Sequence, residues 1–292
     1  MSNLTRRDFI VRGSQIAIAG AAGAVVLQSI ANSQPVEGGG AQFAPLAQNP
    51  TVTPTLAPTG AATPAPTSTP DPTGWPWKYV KLDPKVVAQK AYDAYYQGGC
   101  MFGVFDAIIS ALKDAYGPPY NLIPTNMARY GKGGDVDWGT LCGTLNGAGL
   151  AMNLVLKDFA PPINDLVYWY TKTALPTFQP ATPKVAISAT SVSDSPLCHV
   201  SVTEWCNAAK VKSESPERSE RCGRLTADVA AQAVQILNDY ADGKFKAVYV
   251  ASEAVQSCGA CHSKGGIIEN VHTQMDCVQC HTPNSLPTTH PK

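Results

Sequence analysis

The chain has 292 residues, 44% of them apolar, enough for one or two domains with a real core. Lysine plus arginine equals aspartate plus glutamate at 22 each, so no basic surface of the kind that seeks nucleic acid or anionic lipid is present. This balance argues against nucleic acid as a partner.

The N-terminus reads as an address. Thr5-Arg6-Arg7-Asp8-Phe9-Ile10 is a twin-arginine pattern, and the run GSQIAIAGAAGAVVLQSIA behind it is short, weakly apolar and rich in Ala and Gly. A spanning helix wants about 20 strongly apolar residues, so residues 1–33 are expected to direct export by the twin-arginine route, with Ala31-Asn32-Ser33 as a cleavage site. Retention as an uncleaved N-terminal anchor is the other reading, and the only membrane association on offer. Three of the 22 basic and one of the 22 acidic side chains fall in this stretch, leaving a periplasmic or extracytoplasmic body with 19 and 21.

Residues 34–75 are a Pro/Thr-rich linker, as in PTVTPTLAPTGAATPAPTSTPDPTG. With almost no charge and no apolar periodicity it cannot bury enough surface to offset its ordering entropy, and its prolines favour an extended spacer. A surface tether and a leader lost with the signal are both compatible with it.

Residues 76–250 read as helices punctuated by Gly and Pro. Asp83-Pro84 opens the first, which should end at Gly98-Gly99; a second begins near Cys100 with Phe102, Phe105, Ile108, Ile109 and Leu112 on one stripe and closes at Gly117-Pro118. A third covers WGTLCGTLNGAGLAMNLVL, where Gly139, Gly143 and Gly147 recur every four residues and permit close approach of another helix or a cofactor. A segment from about Pro162 to Leu175 is helical, followed by a break from Pro176 to Pro183. The longest helix starts at Ser215-Pro216-Glu217, lines one side with Cys222, Leu225, Val229, Ala233, Ile236, Leu237 and Tyr240, and stops at Gly243. KVAIS and FKAVYV are the few strand signals. The expected fold is mostly α: a helical cysteine-rich domain carrying a short, loop-rich C-terminal module, residues 251–292.

That module holds the clearest chemistry. Cys258-Gly-Ala-Cys261-His262 and Cys277-Val-Gln-Cys280-His281 each fit the signature of covalent c-type haem attachment. The two thiols of each motif form thioethers with the haem vinyl groups, and the following histidine is the proximal iron ligand. With 15 residues between Cys261 and Cys277, the spacing also fits a four-cysteine zinc ribbon, a structural module. A ribbon has no use for a histidine after both pairs, whereas haem attachment requires one each time. The module offers only Val255, Ile267, Ile268, Val271, Met275, Val278 and Leu286 as sizeable aliphatic side chains, too little core for its length. Two porphyrins would complete the burial.

Closed electron-transfer haems need sixth ligands. His262 and His281 are proximal, leaving His199, His272 and His290 as distal candidates; Met275 is a weaker option and would raise the potential relative to bis-histidine ligation. Of the other cysteines, Cys100, Cys142, Cys198, Cys206 and Cys222, an exported protein would ordinarily pair most as disulfides. The twin-arginine route carries proteins folded in the reducing cytoplasm, which leaves an iron-sulfur cluster and buried free thiols open beside disulfides.

QGGCMFGVFDAIISALKDAYGPPY, YGKGGDVDWGTLCGTLNGAGLAMN, PLCHVSVTEWC and the two terminal motifs together resemble the split-Soret cytochrome c family, from about Tyr79 to the C-terminus. Cys142-Gly143-Thr-Leu-Asn-Gly147 is similar to the Cys-Gly-Ala-x-x-Gly element of a wider family of four-cysteine redox proteins. The resemblance implies a homodimer with two covalent haem c groups per chain stacked at one end. It also implies bis-histidine ligation to which a partner chain can contribute, and an iron-sulfur site on Cys100, Cys142, Cys206 and Cys222, with Cys198 as an alternate. The expected function is electron transfer with an unidentified redox partner protein rather than catalysis. A haem-dependent reductase with one exchangeable iron site is the enzymatic alternative.

Overall fold

The computed structural model describes residues 74–281; the twin-arginine signal, the linker up to Thr73 and His290 lie outside the described residues. Asp83 opens the first helix, α1 (Pro84–Tyr116), by accepting the Lys85 N–H at 2.8 Å, with Pro84 in the first turn. The two helices expected on either side of Gly98-Gly99 form this one element, broken in the middle by Gly99 at φ +85°, a conformation that only glycine adopts without strain.

After two short 3-10 segments (Tyr120–Leu122, Thr125–Gly131) comes α2 (Gly143–Val155). It is shorter than the expected run from Trp138. Asp135, Val136, Asp137 and Gly139 all have positive φ, and a helix starts only where Cys142 caps it. Next are α3 (Ala160–Lys172), α4 (Cys198–Ala209) and α5 (Pro216–Ala241), the last opened by Ser215 accepting Arg218 N–H at 3.2 Å. Among the described residues there is no strand, only the bridges Leu141 to Leu197 and Leu175 to Ser191. KVAIS is irregular, and FKAVYV is extended without pairing, because Val248 and Tyr249 give their N–H groups to the buried Asp165 carboxylate at 2.7–3.1 Å.

α1 and α5 pack along each other, and α2 crosses α1. The expected stripe of α1, from Phe102 to Leu112, is buried, as are Leu225, Val229, Ala233, Ile236 and Leu237 of α5. Each large aliphatic side chain so covered contributes about 1.5–3 kcal/mol. The crossing is close because α2 presents glycine: a methyl group on Gly147 would lie 2.4 Å from the Met101 carbonyl oxygen.

Beyond α5 the chain runs to α6 (Glu253–His262) and a last 3-10 turn (Cys277–Gln279). Neither contains a buried residue, and Ile267 is 90% exposed, with Ile268, Val271 and Val278 exposed beside it. The Asp165 bonds, the Tyr168–Tyr249 ring contact at 5.9 Å and a hydrogen bond from the Gln279 side chain to the Asp194 carbonyl hold this region to the body.

Candidate iron centres

The first Cys-x-x-Cys-His unit lies on α6, a helix the sequence reading treated as loop. Ser252 caps it by accepting Val255 N–H at 3.3 Å, and Glu253 complements the dipole. Cys258, Cys261 and His262 then stand three and four residues apart on one face. The chain folds back over this turn, with Ile268 N and Glu269 N donating to the Cys261 carbonyl and Val271 N to that of His262. Asp276 opens the second unit by accepting Val278 N–H at 3.1 Å, and His281 N closes on the Cys277 carbonyl at 2.9 Å. A 3.1 Å bond from Ser252 Oγ to Asp276 ties the two starts together. Cys277 and Cys258 face each other, and the Cys277 thiol is raised by burial and then by Cys258.

His262 Nδ1 sits 2.8 Å from Asn270 Oδ1. A carboxamide oxygen accepts only, so in this contact Nδ1 carries the proton, a second-sphere hydrogen bond of the kind that orients ligating histidines. The cavity of about 180 Å³ between α3 and the module, lined by Tyr168, Tyr249 and Met275 among others, is smaller than the ~300–1,000 Å³ of ordinary cofactor pockets. The aliphatic side chains around the motifs, Ile267, Ile268, Val271 and Val278, are uncovered instead. His199 and His272 are exposed. His199 Nδ1 is 2.9 Å from the Gly139 carbonyl, in a stretch that includes Trp138, which is 82% exposed.

A second constellation lies inside the body. Cys100 is the first helical residue after the Gly99 break, Cys142 caps α2, and Cys198 begins α4. Three thiols therefore stand at or beside helix starts. Backbone bonds from Cys142 N to Pro196 O (2.9 Å) and from Cys198 N to Thr140 O (2.6 Å) bring two of these starts side by side. Gly143 admits Cys100, whose Sγ would lie 2.6 Å from a methyl group placed there.

Cys222 joins from α5. Burial pushes the Cys100 thiol up to about 12, with Cys142 and Cys222 adding to it; Cys198 is raised by burial and then by Cys142, Cys100 and Cys222. Cys206 is raised by burial and senses Cys222 alone among the cysteines. Cys100, Cys142, Cys198 and Cys222 are thus within electrostatic reach of one another, while Cys206 senses only Cys222. No disulfide joins any two of the nine cysteines, all of which are among the described residues.

Beside these thiols lies Arg221, 2% exposed. Its Nη2 donates to Ser201 Oγ at 2.7 Å, Nη1 lies 3.9 Å from Cys222 Sγ, and Nε has no partner. Burial works against its charge, and Cys222, Tyr170 and Cys142 outweigh that and raise its pKa. A buried cation with an unmade donor beside the Cys222 thiol, and within electrostatic reach of Cys142 and Cys198, fits an anionic, thiolate-held group. Among the described residues no three His, Cys, Asp or Glu side chains are grouped for a single ion. Sequence reasoning missed Arg221, Ser201 and Tyr170; the available signal was an arginine four residues before Leu225, on the apolar stripe of α5.

The family model described as "Putative redox-active protein (C_GCAxxG_C_C)" matches residues 105–236, a span that contains Cys142, Cys198, Cys206 and Cys222 and begins after Cys100. The chain is 45% identical over 216 residues to the split-Soret cytochrome c of Desulfovibrio desulfuricans, an alignment covering 70% of this chain and 77% of that protein. It is also similar, at 44% identity and a TM-score of 0.67, to a solved structure described as "A novel iron centre in the split-Soret cytochrome c from Desulfovibrio desulfuricans", covering 74% of this chain and 95% of the other.

Proposed function

The chain belongs to the split-Soret cytochrome c family, and from that footing we propose that it is an exported dihaem c-type electron-transfer protein with an iron-sulfur cluster in its helical body. A redox role and an iron cofactor follow from the relationship. The finer assignments rest on this chain's own residues.

Cys258 and Cys261 hold one haem covalently and Cys277 and Cys280 the other, with His262 and His281 as proximal ligands. The observation that carries this reading is the pair of Cys-x-x-Cys-His units side by side in a region without a buried residue, rimmed by uncovered Ile and Val side chains. When bound, the haems and the cluster supply one-electron storage; the protein supplies ligation, orientation and partial exclusion of water. His272, His290 and His199 are the distal candidates. His199, exposed on the body with its Nδ1 already anchored, suits ligation to a haem of a second copy, in keeping with a homodimer. For the cluster, Cys100, Cys142, Cys198 and Cys222 are the proposed ligands, with Cys206 as the alternate.

Six-coordinate haems pass electrons with little ligand rearrangement and leave no position for a small exogenous ligand. The purified protein is expected to carry non-haem iron and acid-labile sulfide, and its dithionite-reduced spectrum to stay low-spin and unchanged under carbon monoxide. A carbon monoxide complex at one iron would replace the carrier with a reductase, and absence of labile sulfide would remove the cluster.

A further inference from the structure

We propose that Arg221 is the counter-charge of the thiol-held centre: its unpartnered Nε–H donates to a thiolate or sulfide of that centre, and its charge raises the centre's reduction potential. This rests on the reading that the nest of Cys100, Cys142, Cys198 and Cys222 holds an iron-sulfur cluster.

A guanidinium stays charged in proteins, so a buried one requires an anion. The nearby carboxylates are engaged elsewhere. Glu220 accepts from the Tyr92 and Tyr96 hydroxyls at 2.8 and 2.6 Å and from Arg224 Nε at 2.8 Å. Asp228 spends both oxygens on Thr177, on its N–H and its hydroxyl, each at 2.7 Å. Among the described residues no carboxylate pairs with Arg221, whereas the neighbouring Arg218, which also bears on Cys222, has Glu214 at 3.8 Å and the Ser213 carbonyl.

The guanidinium is also fixed in place. Ser201 Oγ accepts both its Nη2–H and the Tyr170 hydroxyl, the latter at 2.8 Å. The buried charge and its open donor are thus held against Cys222; Asp228 feels the charge but gives its hydrogen bonds to Thr177, which leaves the Nε–H to the thiol nest. One-electron reduction adds negative charge to the centre, so a fixed cation beside it favours the reduced state.

The test compares full-length protein, R221Q and R221K in dithionite titrations followed by electron paramagnetic resonance, with iron and labile sulfide counted in each. R221Q is expected to lower the cluster midpoint by at least 59 mV, a tenfold change in the one-electron equilibrium, and R221K by less. R221Q with a full cluster and the parental midpoint overturns the proposal. Should both variants lose the cluster, the R218Q protein labelled with ¹⁵N-arginine decides: a ¹⁵N hyperfine coupling to the reduced cluster supports the contact, and its absence overturns it. Parental protein lacking non-haem iron and sulfide removes the underlying cluster reading, and does so before any variant is made.

Discussion

Cys142 and Cys198 lie 56 positions apart in sequence and become neighbours through two backbone hydrogen bonds that join the residues ahead of α2 and α4. Nothing in spacing reports such a pairing. The two Cys-x-x-Cys-His units are the opposite case, since the haem attachment proposed for them uses residues within five consecutive positions, a spacing visible in the sequence itself. The ligand set makes a sharp prediction: C142S and C198S lose non-haem iron and labile sulfide while keeping haem absorbance, and C206S keeps all three, as iron and sulfide analysis of each purified variant checks.

Asp228 gives a pH prediction. Burial raises its carboxyl, against the two donations from Thr177. A folded value above the unfolded value of about 3.9 means that its stabilising contribution is full below that pH and is lost as pH rises through the folded value. D228N does not titrate. The stability advantage of the parent over D228N, from urea unfolding, should therefore shrink between pH 4 and pH 8; a gap that widens contradicts this.

At the scale of elements, the apolar stripes of α1 and α5 and the caps at Asp83 and Ser215 were readable because local periodicity and hydrogen bonding determine them. α4 escaped because it is short and has no capping side chain, although it carries two cysteines and His199. α6 escaped although Ser252 and Glu253 announce it, its apolar residues being too few to show a period. The crossing of α1 and α2 depends on glycine. G147A should destabilise the protein by about 1–3 kcal/mol, since a methyl meets backbone that cannot yield. G149A, with Ile163 at 3.7 Å, should be neutral or stabilising by up to about 1 kcal/mol. Thermal melts of the pair check this. In α5, Glu220 joins Tyr92 and Tyr96 of α1 to Arg224; E220A strands a buried guanidinium and should cost about 3–5 kcal/mol.

For the molecule as a whole, a mostly helical body was legible from composition and punctuation, and the C-terminal region was marked by its shortage of aliphatic side chains. The structure shares that shortage, leaving Ile267, Ile268, Val271 and Val278 in solvent. Assembly is written less plainly, because a partner's surface leaves no periodic trace in one chain. The anchored His199 beside Trp138 is the feature that points outward. H199A is expected either to convert part of the haem to a high-spin form that binds carbon monoxide or, if His272 and His290 complete both irons, to leave the spectrum intact. The first outcome assigns the ligand to His199 and the second excludes it.

The most direct measurement is the number of covalent haems per chain, from the pyridine haemochrome spectrum and intact mass of the exported protein. Two haems are predicted in the parent, and one each in C261A and C280A. A colourless polypeptide whose mass shows no attached tetrapyrrole would contradict the account at its root.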